Sequence, residues 1–203
     1  MNTIKTIFWD FDGVLMNSNK IRDIGFEEVL KEFPEAEVSE LMKFHQKNGG
    51  LSRYVKFRYF FNDIRNEKIS ESELEKWTNR FSEIMLNLLI DPNLLIEETV
   101  SFVKENYKSF NMHIVSGSDG VELRKICSAI GIDQYFSTIE GSPTPKVDLV
   151  RNILLNNKYV QKECLLIGDS INDYEAANYN EIYFKGYNNS EIEQHSNIIF
   201  PLR

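Results

Sequence analysis

Apolar residues recur along the chain in two rhythms, and the change between them divides it. Thr3 to Trp9 is rich in Ile, Thr, Phe and Trp and predicts a strand, stopped by Asp10-Phe11-Asp12-Gly13. From about Met16 to Asp91 no strand pattern appears. Ile21, Ile24, Val29 and Leu30 fall at helical spacing, as do Val38, Leu41, Met42 and His45. Tyr54, Phe57, Phe61 and Ile64 suit a third helix, and Leu74, Trp77, Phe81, Ile84 and Leu88 a fourth. Pro34, Gly49-Gly50 and Pro92 punctuate them. Beyond Leu94, helix and strand patterns alternate. Helices are predicted over 97–107, 120–130, 145–156 and 172–178. Strands are predicted over 112–116, 135–139, 164–167, 181–184 and, at an edge, 197–200. Such alternation implies a parallel sheet covered by helices on both faces. The expected fold class is α/β: a parallel-sheet core of residues 1–15 and 92–203, with an all-helical domain inserted over 16–91. No internal repeat or low-complexity segment interrupts it.

Hydrophobic residues make up 42% of the chain, which fits a packed globular protein. The 23 basic and 31 acidic residues leave a net charge of -8, which argues against nonspecific nucleic-acid binding. A local basic pocket for a small anion remains compatible with it. Cys127 and Cys164 each sit in an apolar run, outside any Cys-x-x-Cys or Cys/His cluster. Buried, reduced thiols are expected, and no zinc site. No window is long and apolar enough for a membrane span. A soluble, cytoplasmic protein without nucleic-acid or membrane partners, a monomer or weak homodimer, is the expectation.

Ligands of open parallel sheets bind beyond the carboxyl ends of the strands. The polar residues predicted there are Asp10 and Asp12 after the first strand, and Ser116, Gly117 and Ser118 after the second. Lys146 near a helix start and Asp169 and Asp173 after a later strand join them. Crowded carboxylates favour a divalent cation, and Mg2+ takes a few hard oxygen ligands while keeping waters. Asp10 and Asp169 are the expected side-chain ligands, with the carbonyl of Asp12 and Asp173 completing or supporting the set. With charge neutralised, Asp10 is placed to attack a phosphate and form an aspartyl-phosphate. Ser116 and the amides around Gly117 suit the phosphoryl oxygens, and Lys146 their charge. Asp12 suits protonation of the leaving oxygen and deprotonation of the water that opens the intermediate.

Asp10-Phe-Asp12-Gly-Val-Leu15, Ser116, Lys146 and Gly168-Asp169-Ser-Ile-Asn-Asp173 together resemble the haloacid dehalogenase-like superfamily, in its phosphatase branch. The resemblance spans essentially the whole chain, with four motifs in the family's order. It implies a Rossmann-like core with a helical cap inserted after the first motif, and the residue roles given above. One departure concerns Lys146. Many relatives place this lysine just before a proline, whereas Thr144-Pro145 precede it here; Lys158 fits less well. Asp12 disfavours the dehalogenase and phosphonate-cleaving branches, which lack an acid at that position.

The insertion's most distinctive stretch is Lys47-Asn-Gly-Gly-Leu-Ser-Arg-Tyr-Val-Lys-Phe-Arg58. Ser52 can cap the following helix, which puts Arg53 and Lys56 on one face. Either they are a solvated basic face, or they face the core and attract the anionic remainder of a substrate. Resemblance to the specificity loop of capped sugar-phosphate mutases and phosphatases supports the second. Arg58 falls on another face and reads as a surface charge. His45 could contact substrate or simply pack; His113 and His195 carry no assignment. Trp9 and the run Phe57, Tyr59, Phe60, Phe61 read as core.

The expected activity is a Mg2+-dependent phosphatase acting on a small phosphorylated metabolite, a sugar phosphate or phosphorylated acid. The alternatives are a hexose-phosphate phosphomutase and a non-catalytic phosphate-binding module. The Gly50-Leu-Ser-Arg53 element speaks for the mutase. Arg22 speaks against it, because the resemblance leads one to expect a histidine early in the first cap helix.

Overall fold

A computed structural model of the chain describes residues 3–200. Five strands form one sheet in the order β3-β2-β1-β4-β5, every neighbouring pair parallel. They are β1 (Thr6–Trp9), β2 (Asn111–Asp119), β3 (Thr138–Ser142), β4 (Cys164–Gly168) and β5 (Tyr183–Gly186). β1 lies in the centre, with Trp9 level with Ile114 of β2 and Ile167 of β4. Its four residues are all buried, as expected of a strand covered on both faces. Alternate side chains feed two apolar clusters. Ile7, Trp9, Ile114 and Ile167 enter one with α5 (Glu97–Asn106) and α6 (Gly120–Ala129). Phe8, Val115, Leu166 and Phe184 enter the other with α7 (Lys146–Asn157) and α8 (Ile171–Tyr179). Both cysteines are buried and free.

Four helices intervene between β1 and α5: α1 (Asn19–Val29), α2 (Glu35–Lys47), α3 (Arg53–Tyr59) and α4 (Glu71–Leu89). Phe26, Phe57, Phe60, Phe81 and Met85 hold them together, in an apolar cluster continuous with one face of the sheet. Phe57, Phe60 and Phe61 are core, as is Trp9. α4 begins with a capping box between Ser70 and Glu73. A short helix, α9 (Ser190–Glu193), follows β5.

Several expectations need correction. Residues 197–200 form no strand. Instead the Asn197 main-chain amide and side-chain oxygen bond the carbonyl and amide of Phe184, so one residue closes the sheet edge. The strand predicted over 135–139 lies later, at Thr138–Ser142, because Asp133–Tyr135 form a tight helical turn first. The third insertion helix ends at Tyr59 and continues as a π-helical turn over Phe60–Ile64. Ile24 is 53% exposed and Leu88 42% exposed. The buried stripe of α1 runs through Arg22, Gly25, Phe26 and Val29, so a charged residue occupies the place hydrophobicity would give to Ile24.

Candidate active site

The carboxyl ends of β1, β2 and β4 deliver their loops to a single cavity of about 460 Å³. Asp10 directly follows β1, its amide still bonded to the Ile167 carbonyl of β4 at 2.9 Å, so its backbone is fixed by the sheet. Gly13 then turns with φ +78, a conformation that suits glycine. A side chain at Gly13 would meet the Asp169 carboxylate. Lys146, at the start of α7, donates to Asp10 Oδ1 at 2.7 Å and also to Asp173. Asp173 in turn caps α8, accepting from the Ser170 amide at 3.0 Å and hydroxyl at 2.6 Å. Asn19 donates to Asp169 Oδ2 at 2.9 Å.

Asp10, Asp169 and Asp173 offer oxygens that all lie within 4.8 Å of one another. Only Lys146 pairs with this group among the described residues. Burial, then the nearby Asp173, push Asp10 well above the usual carboxylate range. Burial and Asp173 likewise raise Asp169 to about 7. Burial alone would lower Lys146, but Asp10 and Asp173 outweigh it and hold the ammonium charged. Three carboxylates, two buried and one half-buried, against one ammonium make a hard-oxygen set with negative charge in excess, which fits Mg2+. The Asp12 carboxylate stands outside this set. Ser18 Oγ and Arg22 Nε donate to its Oδ1 at 2.5 and 3.0 Å, and Ser118 Oγ to its Oδ2 at 2.6 Å. Burial works against its ionisation, yet Arg22 and the two hydroxyls hold it below the usual range. Its main-chain carbonyl is the group left for a cation.

Ser116 is 1% exposed, and its hydroxyl accepts from the Ser118 amide at 3.0 Å. Gly117 lies against the insertion: a Cβ there would strike the Gly50 carbonyl. Gly50 in turn leaves no room for a Cβ, which would stand 2.6 Å from Ser170 Oγ and 2.8 Å from Asn172 Cβ. Gly50 therefore seats directly on the β2 and β4 loops.

Arg53 and Lys56 both face inward. Ser52 caps α3 as expected, accepting from Val55 N at 3.4 Å. Arg53 donates through Nη1 to Glu122 and Ser82, each at 2.6 Å, with its guanidinium 4.5 Å from the Phe81 ring centre. Lys56 donates to the Gly49 carbonyl at 3.0 Å. Arg58 pairs with Glu71 at the surface. His45 lines the cavity, His113 packs on Phe8, and His195 packs on Tyr174. Lys158 ends α7, away from these groups, in a left-handed conformation.

Sequence reasoning missed Glu122 and the role of Arg22. Glu122, on α6, is 1% exposed and accepts from Arg22 Nη1 at 2.5 Å as well as from Arg53. Asp119 sets its position by capping α6, accepting from Val121 N and Glu122 N at 3.0 Å, while Tyr54 of α3 donates to its other oxygen at 2.8 Å. A chain of alternating charge, Asp12-Arg22-Glu122-Arg53, thus joins the sheet side to α1 and α3. The signal was present: Glu122 precedes Ile126 by four residues, and Arg22 precedes Phe26 by four, so each charge sits on an apolar stripe.

Solved structures share this fold. A predicted phosphoglycolate phosphatase from Haemophilus somnus is 21% identical, with a TM-score of 0.72 over 92% of this chain and 86% of its own. A β-phosphoglucomutase from Clostridium difficile is 17% identical, with a TM-score of 0.75 over 98% of this chain and 92% of its own. At these identities the likeness is one of fold. A 5'-nucleotidase of Pseudomonas aeruginosa is 26% identical over 80 residues, a match spanning 37% of this chain and only 36% of that protein. The sequence model of one family, the haloacid dehalogenase-like hydrolases, matches residues 7–186, from β1 to the end of β5. A match of that extent, over the strands and loops that build this cavity, makes the chain a member of the haloacid dehalogenase-like hydrolase family.

Proposed function

We propose that the protein is a phosphatase of a small phosphorylated metabolite, with Asp10 as the nucleophile. The observation that carries the reading is the convergence of Asp10, Asp169 and Ser116 on one cavity, with Lys146 paired to Asp10. In this reading residues 16–91 act as a cap over a core of 1–15 and 92–203. Asp10, Asp169 and the Asp12 carbonyl would hold Mg2+, which when bound offsets the repulsion between the carboxylates and the phosphate. Both Asp173 oxygens are already engaged, so Asp173 braces Lys146 and the α8 start. Ser116 and the amides near Gly117 receive the phosphoryl oxygens, and Lys146 balances their charge.

Asp10 attacks phosphorus, the ester oxygen leaves with a proton, and water then opens the aspartyl-phosphate to release phosphate and restore Asp10. Asp12 supplies the first proton and receives one from the water. Held by Arg22, it is set as the base of the second step. To act as the acid of the first step it must carry a proton, so its contact with Arg22 yields as substrate enters. The reading goes with a cytoplasmic monomer or weak homodimer that binds neither nucleic acid nor membrane. No helix among the described residues is long and apolar enough to cross a membrane.

Inorganic phosphate release from a panel of phosphorylated sugars and acids, with Mg2+, tests the reading. Turnover that is abolished in a folded Asp10→Asn variant supports it. No turnover of any ester by the unmodified protein refutes it. Slow release with bisphosphate-primed isomerisation of a hexose phosphate would identify the mutase instead.

A further inference from the structure

The first turn of α1 turns its polar side chains toward the acids of the sheet loops. Ser18 and Arg22 donate to Asp12, and Ser18 makes no side-chain cap for α1. Asn19, the first residue of α1, donates instead to Asp169, with Nδ2 2.9 Å from Oδ2. Gly13 makes room for this contact. A Cβ there would stand 2.0 Å from Asp169 Oδ2 and 2.7 Å from Asn19 Nδ2, so the bond runs across the bare face of the glycine. Two more amides hold the loops on either side. Asn188 Nδ2 donates to the Gly13 carbonyl at 3.0 Å, and Asn189 Nδ2 to the Asp169 carbonyl at 2.9 Å. Asn188 adopts φ 56, in the left-handed region where Asn is enriched. The main chain of Asp169 is thus held from the core, by Asn189, whereas its carboxylate is held from the insertion, by Asn19.

Asp169 offers an oxygen within 4.8 Å of oxygens of Asp10 and Asp173. Asn19 occupies its Oδ2, and Oδ1 has no hydrogen-bond partner among the described residues, so Oδ1 is the oxygen left for a cation. A carboxylate with one oxygen held has little rotamer freedom left to lose when a metal binds, and outer partners of this kind orient metal ligands. We infer that Asn19 is a positioning residue for Mg2+, and that through it cation binding and the seating of the insertion on the sheet reinforce each other. The inference rests on reading Asp10 and Asp169 as Mg2+ ligands. Linkage makes the coupling reciprocal: whatever factor the seated α1 adds to Mg2+ affinity, bound Mg2+ adds to the seating of α1.

The test is calorimetric titration of Mg2+ into the unmodified protein and into Asn19→Ala, beside amide hydrogen exchange of α1 with and without Mg2+. Asn19→Ala should bind Mg2+ about 10-fold more weakly, the low end for an outer partner of a metal ligand, because this contact is exposed. Its Tm without metal should stay close to that of the unmodified protein. Mg2+ should slow exchange of the α1 amides in the unmodified protein, and the variant should lose that slowing. Asn19→Gln, which keeps an amide donor on a longer stem, should recover part of both effects. Where the Ala variant does not fold, Asn19→Leu replaces it, with similar size and no donor. Equal Mg2+ affinity in the two proteins overturns the inference, as does Mg2+-induced protection of α1 that persists in the variant. A merely structural asparagine would lower Tm and leave both Mg2+ readouts unmoved. If the unmodified protein itself binds no Mg2+, the metal reading fails and the inference falls with it, a result distinct from binding that ignores Asn19.

Discussion

Glu122→Gln isolates what the buried charge chain contributes. The substitution keeps size and one acceptor oxygen but removes the charge that Arg22 and Arg53 share at 2.5 and 2.6 Å. Asp12 would then face two buried guanidiniums alone. Removing one partner of a buried ion pair costs about 3–5 kcal/mol, because the other charge is left uncompensated. For a chain of this size 1 kcal/mol corresponds to roughly 2–4 °C, so Tm should fall by about 6–20 °C. The pH dependence follows from the direction of the shift. Burial works against ionised Glu122, but Arg22 and Arg53 prevail and lower its pKa. Its stabilisation is therefore complete above the unfolded value near 4.3 and is lost as pH falls through the lower folded value. Denaturant unfolding at pH 7 and at decreasing pH should show a Glu122→Gln deficit that narrows only below about pH 4. A deficit under about 0.5 kcal/mol at pH 7, with an unchanged m-value, would refute the claim that this carboxylate joins the insertion to the sheet.

Other substitutions probe neighbouring links. Gly117→Ala should push the Gly50 carbonyl away and lower kcat/KM on a responsive substrate far more than it lowers Tm, since only the loop must move; steady-state kinetics beside thermal melts check this. Lys146→Ala leaves Asp10, Asp169 and Asp173 without their ammonium, so phosphate release should fall by at least about 100-fold, and calorimetry should show altered Mg2+ affinity. Chelation should stop turnover and added Mg2+ restore it, a recovery that Asp169→Asn should lack. His113 is lowered to about 4 by burial, so the folded state binds fewer protons than the unfolded state between about pH 6.5 and 4. Stability should fall on acidification through that window by on the order of 3 kcal/mol, and His113→Gln should flatten this slope in pH-dependent unfolding.

The sheet was legible because its strands are short apolar runs bounded by Asp, Gly and Pro, and the cavity loops because acids stand at their ends. Asp10, Ser116 and Asp169 line one cavity, as their strand-end positions predict, and Lys146 reaches Asp10 from the start of α7. The edge near Asn197 misled because Ile198, Ile199 and Phe200 look like a strand, while a single asparagine satisfies the exposed backbone of Phe184. Arg53 and Lys56 had two readings from sequence. Spacing placed them on one face, but only tertiary packing decided that this face turns inward. Glu122 and Arg22 went unread because charge usually signals solvent. Two charges on two separate apolar stripes report a buried pair only once it is known that the stripes meet, and that information is not local to either helix.

At the sheet end Asp10, Asp169 and Asp173 share one ammonium, a deficit that a cation fills. Beside it the Asp12-Arg22-Glu122-Arg53 chain is balanced, two charges against two. Arg22 joins its halves, with Nε on Asp12 and Nη1 on Glu122. Its guanidinium is also what holds the Asp12 carboxyl below the usual range. Any movement of α1 that draws Arg22 away from Asp12 would favour the protonated carboxyl that the first step of the proposed reaction requires, which ties the readiness of that acid to the seating of the insertion on the sheet.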